Sequence, residues 1–227
     1  MRTIIYIDGF NLYFRLLKGN PEFKWLDVKA LAENVLDPIN QVIAVNYYTA
    51  RVSGKLDTDA PRRQQIYFDA LGTVPEVSIH YGKFLSSKKF AGLVQPPQFR
   101  PPTQIPQPWP DVVKIHKIEE KGSDVNLASH LLFDAFRNLY EIAVVLSNDS
   151  DLVEPVRIVT QDMGKVVGLL SPVTNPNPEL VAASSFVRRI RQSHLAASQF
   201  PNPLPLDDGT LLSKPISWVS DIDSESI

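Results

Sequence analysis

Ile142-Ala143-Val144-Val145-Leu146-Ser147-Asn148-Asp149-Ser150-Asp151, residues 142–151, is the stretch on which the fold turns. Five apolar residues in unbroken succession are too few for a helix and show no alternation. A run of that length suits a strand buried on both faces, as in the middle of a parallel sheet. Two aspartates follow within three positions of one another, where the chain leaves the strand. Strand C-terminal ends line up along one edge of a parallel sheet, and ligand crevices form there.

The N-terminus repeats the arrangement: strand Thr3–Ile7, then Asp8-Gly9 and a short helix through Leu12 and Leu17. Between these two strands the spacing predicts a helix over Asp27–Leu36, a strand over Val42–Val52, a helix from Asp59-Ala60-Pro61 to Leu71, and a strand over Val77–Phe84. A strand over Val112–Ile118 and a helix that Ser123 or Asp124 can cap come next. The helix carries its apolar face on Ala128, Leu131, Leu132, Ala135, Phe136 and Leu139. After Asp151 the expected order is helix to Met163, strand Lys165–Leu170, helix Pro178–Ser185 and strand Phe186–Ile190. Alternation of this kind predicts an α/β fold with a parallel, Rossmann-like sheet flanked by helices. Seven of the 19 prolines crowd into residues 90–110, expected as an extended loop or lid within a domain spanning 1–200. Residues 201–227 are expected to form a C-terminal extension, partly disordered, with an acidic tail at 221–227.

Composition limits the chemistry. A formal charge of −2 excludes a globally basic binder but not a local basic groove. With no cysteine there is no disulfide, thiolate zinc site or cysteine nucleophile. No stretch approaches ~18 apolar residues, so no membrane span is expected and the chain reads as soluble and cytoplasmic. Self-association as a homo-oligomer is left open.

Asp8 and Asp149 belong on one sheet edge. If Asp124 opens a helix packed beside them, Asp8, Asp124, Asp149 and Asp151 converge from distant positions. Clustered carboxylates repel and need a shared proton or a cation. Mg²⁺ suits them, since it takes oxygen ligands and keeps several waters for substrate phosphate. A structural role is open to each acid as well: Asp8 as a turn former, Asp124 as a helix cap, Asp149 and Asp151 as turn and cap.

Three blocks, Ile7-Asp8-Gly9-Phe10-Asn11, Glu119-Glu120-Lys121-Gly122-Ser123-Asp124-Val125 and Val145-Leu146-Ser147-Asn148-Asp149-Ser150-Asp151-Leu152, resemble the signature blocks of the NYN domain, a branch of the PIN-like nuclease superfamily. The resemblance covers roughly residues 3–192. It implies a PIN-like sheet and a ribonuclease dependent on Mg²⁺ or Mn²⁺, acting on RNA, with single-stranded RNA the expected partner. Asp8, Asp124 and Asp149 match the acidic core, Asp151 the further aspartate, and Asn11 the asparagine beside the first acid. His130 stands where many members carry Asp. Water attack in line with the leaving oxygen fits these parts. Lys121 is a candidate phosphate clamp, and Asn11 either holds a carboxylate or water or caps the first helix. A catalytically weak or inactive RNA-binding module of the same fold is the alternative. Phosphate contacts are sought among Arg51, Lys55, Arg62, Arg63, Lys83, Lys88 and Lys89 and the Arg188, Arg189, Arg191 cluster. Tyr13, Tyr47, Tyr48 and Trp109 are candidates for base stacking, although such aromatics also serve as core.

Overall fold

A computed structural model describes residues 1–55 and 57–219. The acidic tail expected at 221–227 lies outside the described residues. Six strands form one wholly parallel sheet in the order β3-β2-β1-β6-β7-β8: β1 (Arg2–Asp8), β2 (Gln41–Thr49), β3 (Val77–Tyr81), β6 (Ile142–Leu146), β7 (Val166–Ser171) and β8 (Phe186–Arg189). All five residues of β6 are buried, and it pairs with β1 from Thr3↔Ile142 to Ile7↔Leu146. The centre of the sheet is thus the pair of strands that precede Asp8 and Asp149.

Alternation along β1 sends Ile5 and Ile7 into one core and Ile4 and Tyr6 into the other. The first core is covered by α1 (Gly9–Leu12, continuing as a wider turn over Tyr13–Leu17), α2 (Val28–Val35), α3 (Ala60–Leu71) and α7 (Gln192–Ala197). The second is covered by α4 (Ser123–Phe136), α5 (Val153–Arg157) and α6 (Pro178–Ala183). The helical segments following β1 and β6 therefore leave toward opposite faces. The loops part between these two strands, which creates the crevice at a topological switch point.

The segment read as one strand over Val77–Phe84 is two. The chain leaves the sheet after β3, and β4 (Lys83–Gly92) pairs antiparallel with β5 (Val112–Lys121) as a separate two-stranded arm. Lys83 faces Lys121 at the base and Gly92 faces Val112 at the tip. Ten residues of extended chain per strand span about 30 Å. The Pro-rich segment, residues 93–111, closes the far end of this arm, so it does not flank the crevice as a lid. Cis peptide bonds precede Pro96, Pro101 and Pro108 in it.

Two details of α4 differ from expectation. Its N-cap is Gly122 at φ 103°, not Ser123 or Asp124. Its buried stripe is Leu127, Leu131 and Ala135, whereas Phe136 is 80% exposed. Residues 201–219 hold to the domain: Pro201 accepts a hydrogen bond from the Trp25 indole at 3.0 Å, Leu204 is buried, and Trp218 meets Tyr67 edge-on. No helix among the described residues is long and apolar enough to cross a membrane.

Gly9 sits where β1 turns into α1 and β2 presses closest. A Cβ there would lie 2.6 Å from the Tyr48 carbonyl oxygen and 2.8 Å from Tyr47 Cζ. Because one obstacle is backbone, the site cannot relax by a rotamer change. Gly9→Ala should therefore destabilise by about 1–3 kcal/mol in chemical denaturation. Gly19→Ala, which would meet nothing within 4 Å, should leave stability near that of the wild type.

Candidate metal centre

Asp8 is the last residue of β1 and is 2% exposed. Its carboxylate survives burial because three donors reach it. Asn11 supplies its backbone N–H at 2.9 Å and its side-chain amide at 2.5 Å, and Ser147 Oγ donates at 2.8 Å. Asn11 thus holds Asp8 in place, and Asp8 in turn caps α1. Burial raises the Asp8 pKa, the donors from Asn11 and Ser147 lower it, and the nearby Asp149 raises it again.

Asp149 follows β6 across the turn Ser147-Asn148. Its own N–H donates to Ser147 Oγ at 3.1 Å, so one serine ties the first and third acids together. Asn148 Oδ1 accepts from the Asn177 N–H at 2.8 Å and fixes the loop to the start of α6. Asp124 stands in the first turn of α4. There the left-handed Gly122 turns the chain sharply out of the arm, in a conformation open to glycine at little cost. Glu120, one strand position before Lys121, accepts from the Ser123 N–H at 3.1 Å and from Ser123 Oγ at 2.7 Å. It does the capping work that the sequence pattern assigns to Ser123 or Asp124.

Carboxylate oxygens of Asp8, Asp124 and Asp149 lie within 4.8 Å of one another. They border a cleft of about 260 Å³ shared with Asn11, Ser123 and Glu120 and walled by Phe10, Phe14 and Phe84. Among the described residues, none lining the cleft carries a positive charge. Asp124 bears the consequence: burial first, then repulsion from Asp8, Asp149, Glu120 and Asp151, pushes its pKa up to about 6. An all-oxygen donor set with three converging acids fits a hard divalent cation such as Mg²⁺ or Mn²⁺, whose ligand distances near 2.1 Å place opposing oxygens ~4.2 Å apart.

Asp151 stands outside this set. It is exposed in the short turn Ser150–Leu152, and its N–H donates to Asp149 Oδ1 at 3.0 Å. Lys121 does not reach the cleft. Strand alternation sends it to the face of β5 opposite Glu120, where its ammonium lies 3.9 Å from Glu119. His130 is also remote: its Nδ1 meets the Tyr48 hydroxyl at 2.9 Å and its ring packs on His80, in the core on the α4 side. Tyr47 and Tyr48 are buried. Glu120 and Ser147 join the site without having been expected there, although both lie within the quoted blocks. Strand parity for one, and the step from β6 to Asp149 for the other, were the available signals.

The raised acids predict a pH signature in metal-free protein. A carboxyl whose folded-state pKa exceeds its unfolded value of ~3.9 weakens the fold as pH climbs from there toward about 6, and the loss is complete above that. In chelator, the thermal midpoint of Asp124→Asn minus that of the wild type should grow across this window and then level off. At neutral pH the gap should be about 2–4 °C, the shift that ~1 kcal/mol produces at this size. Mn²⁺ should raise the wild-type midpoint by mass action and leave the variant nearly unmoved.

Two known proteins are similar to this chain. A curated Pseudomonas putida protein, 6-hydroxy-3-succinoylpyridine 3-monooxygenase HspA, is 28% identical over 242 residues, covering 96% of this chain and 75% of its own length. The crystal structure of a Vibrio parahaemolyticus protein of unknown function is 14% identical, covers 84% of this chain and 93% of its own, and superposes with a TM-score of 0.49. The family model described as the NYN domain matches residues 2–190, a span holding all three converging acids and the whole six-stranded sheet. The chain belongs to the NYN domain family.

Proposed function

We propose that the chain is a metal-dependent ribonuclease that hydrolyses RNA phosphodiester bonds at the acid cluster. The observation that carries this reading is the convergence of the Asp8, Asp124 and Asp149 carboxylates within 4.8 Å, with no cationic side chain among the described residues lining their cleft. Family membership supports it. What a bound Mg²⁺ or Mn²⁺ supplies is positive charge against the phosphate and a lowered pKa for an attacking water in line with the leaving oxygen. The three aspartates would hold the ion, with exposed Asp151 beside them, and Asn11 and Ser147 donate to the Asp8 carboxylate and orient it. The phenylalanine wall excludes bulk water from one side.

The arm supports RNA as the substrate. Its two strands carry six lysines against two glutamates. Pairing of Lys88 with His116 and Phe90 with Lys114 puts these four on the face that also bears Phe84 and Glu120, two residues of the cleft wall. Lys114 stands 5.9 Å over the Phe90 ring, which is 67% exposed. Cations alternating with an exposed ring along an extended path suit a single strand, whose phosphates and base faces both need partners. The Arg188–Arg191 cluster and Lys121 lie off this path.

One observation favours a second reading. An aromatic-walled cavity adjoins the acids, and the Pseudomonas relative is named for oxygen insertion into a pyridine. In that reading one atom of dioxygen enters an aromatic ring and the other leaves as water, with two electrons from a reduced nicotinamide or flavin. RNA would then be untouched, and oxygen uptake would require the aromatic compound and the reductant.

Incubation with labelled single-stranded RNA and Mn²⁺ should give cleavage that chelator stops. Asp8→Asn or Asp149→Asn should lower the rate by at least the ~100-fold that loss of even an outer-shell partner can cause. An intact RNA ladder across varied sequences would sink the nuclease reading. Independently, Lys88→Gln with Lys114→Gln should weaken binding of single-stranded RNA in chelator about equally across sequences. The slope of log affinity against log salt should fall by ~0.7 for each phosphate that the variant no longer neutralises.

A further inference from the structure

Across the wall of Phe10, Phe14 and Phe84 from the acid cleft lies a second cavity of about 230 Å³, set between α1, the end of β2 and α3. Its inner lining includes the rings of Tyr47, Tyr67 and Phe68, with Tyr47 and Tyr67 edge to face at 6.4 Å. A cavity of ~150 Å³ already accepts benzene, so this one has room for a substituted or fused ring.

The cavity is not merely greasy. Tyr47 and Thr49 line it and are 5% and 4% exposed, yet neither hydroxyl has a hydrogen-bond partner among the described residues. The one side-chain polar atom that is both sealed from solvent and unpartnered among those residues is Gln199 Oε1, so both hydroxyls open into the cavity. Gln64, beside them, is committed: its Oε1 accepts from the Val52 N–H at 2.9 Å and its Nε2 donates to the Ala50 carbonyl at 3.0 Å. Water in the cavity can reach both hydroxyls, so an occupant that displaces it must offer polar atoms in its place.

Charge gives the second constraint. Lys24 lies on the lining with its ammonium 5.8 Å from the Tyr13 ring, and no carboxylate stands within 4.0 Å of it among the described residues. Arg63, also on the lining, is paired with Asp57 and adds to the positive field. Burial and then the Arg63 charge depress the Lys24 pKa, with the Glu22 charge acting the other way. An anion there relieves Lys24 and adds a second partner to Arg63. The acid cleft calls for a cation, and the neighbouring cavity calls for a flat ring with a negative substituent.

We infer that this cavity is a binding subsite for one flat aromatic ring carrying an anionic group. The ring lies among Phe10, Tyr47 and Tyr67, its polar atoms meet the Tyr47 and Thr49 hydroxyls, and its anion faces Lys24 and Arg63. Two sources share that chemistry: a nucleotide of an RNA strand, in which case the inference rests on the ribonuclease reading, and a free aromatic acid. The shared phenylalanine wall sets either one directly beside the metal centre.

Calorimetric titration of the full chain in chelator, with uridine 5′-monophosphate in one arm and nicotinate in the other, tests the subsite without any metal. Saturable binding of at least one probe is expected, weakened 10-fold or more by Lys24→Gln and 3- to 10-fold by Tyr47→Phe. Unaltered binding by both variants would overturn the assignment, as would failure of both probes to bind folded wild type at millimolar concentration. Binding of the nucleotide alone assigns the subsite to a base of RNA, nicotinate alone to a small aromatic acid, and binding of both supports the shared chemistry. Since Tyr47 is a core residue, its variant counts only with a cooperative thermal transition; the half-buried Lys24 keeps the test decisive by itself. Ring binding in chelator stands or falls separately from RNA cleavage in Mn²⁺, so loss of one reading is told apart from loss of the other.

Discussion

Three carboxylates within 4.8 Å of one another repel, and the surrounding structure is organised to hold them there. Each is fixed by something other than a cation. Asp8 is gripped by Asn11 and Ser147, Asp149 is bound through its own N–H to the same serine, and Asp124 is set by a helix start that Glu120 and Gly122 define. The anchors come from the two central strands and from α4, elements whose positions depend on the fully buried β6 and its pairing with β1. A shift of either strand relative to the other would separate Asp8 from Ser147 and undo the cluster. The repulsion is thus balanced against the packing of the sheet centre, the part of a domain least able to yield.

What the sequence made legible follows from where the signals are local. Apolar runs ending in Asp8 and in Asp149 are contiguous, and their placement on one edge needs only the rule for parallel strands. Asp124 needed one further step, the helix start, which lies a residue or two earlier than a Ser123 or Asp124 cap would put it because Gly122 is the cap. The arm was not legible. The β-rich pattern runs through Gly82 without a break, so β3 and β4 read as one strand, and nothing local reports that their sheet partners differ. Lys121 shows a related limit: its distance from Asp124 along the chain is short, but strand parity turns it to the other face. Phe136 illustrates the limit of helical periodicity, which places a residue on a face without showing whether anything covers it. The second cavity, drawn from residues as far apart as Lys24, Tyr47, Arg63 and Trp218, left no contiguous trace at all.

Family membership and a relative's name point to different chemistries. The acid cluster is a set of oxygen donors that could hold a hard cation, and on either proposed reading it is indifferent to what that cation activates. Selection falls to the neighbouring surfaces: a cationic arm suited to a phosphate chain, and an aromatic cavity suited to a ring. This separation of a general metal holder from its local selectors is how sites differ among proteins of one fold.

The wall formed by Phe10, Phe14 and Phe84 is common to both cavities, with Phe10 and Phe84 packed edge to face at 5.8 Å. A partition one side chain thick cannot move without changing the volume on both sides. Occupants of the two chambers are therefore thermodynamic neighbours. Whatever factor a resident of one chamber adds to affinity in the other must be returned in equal measure, because linkage between two equilibria has no preferred direction. Phe10 also lies between Asp8 and Asn11 in the chain, so the partition and the grip on the most buried acid share one short piece of backbone. In such an arrangement, filling one room furnishes the other.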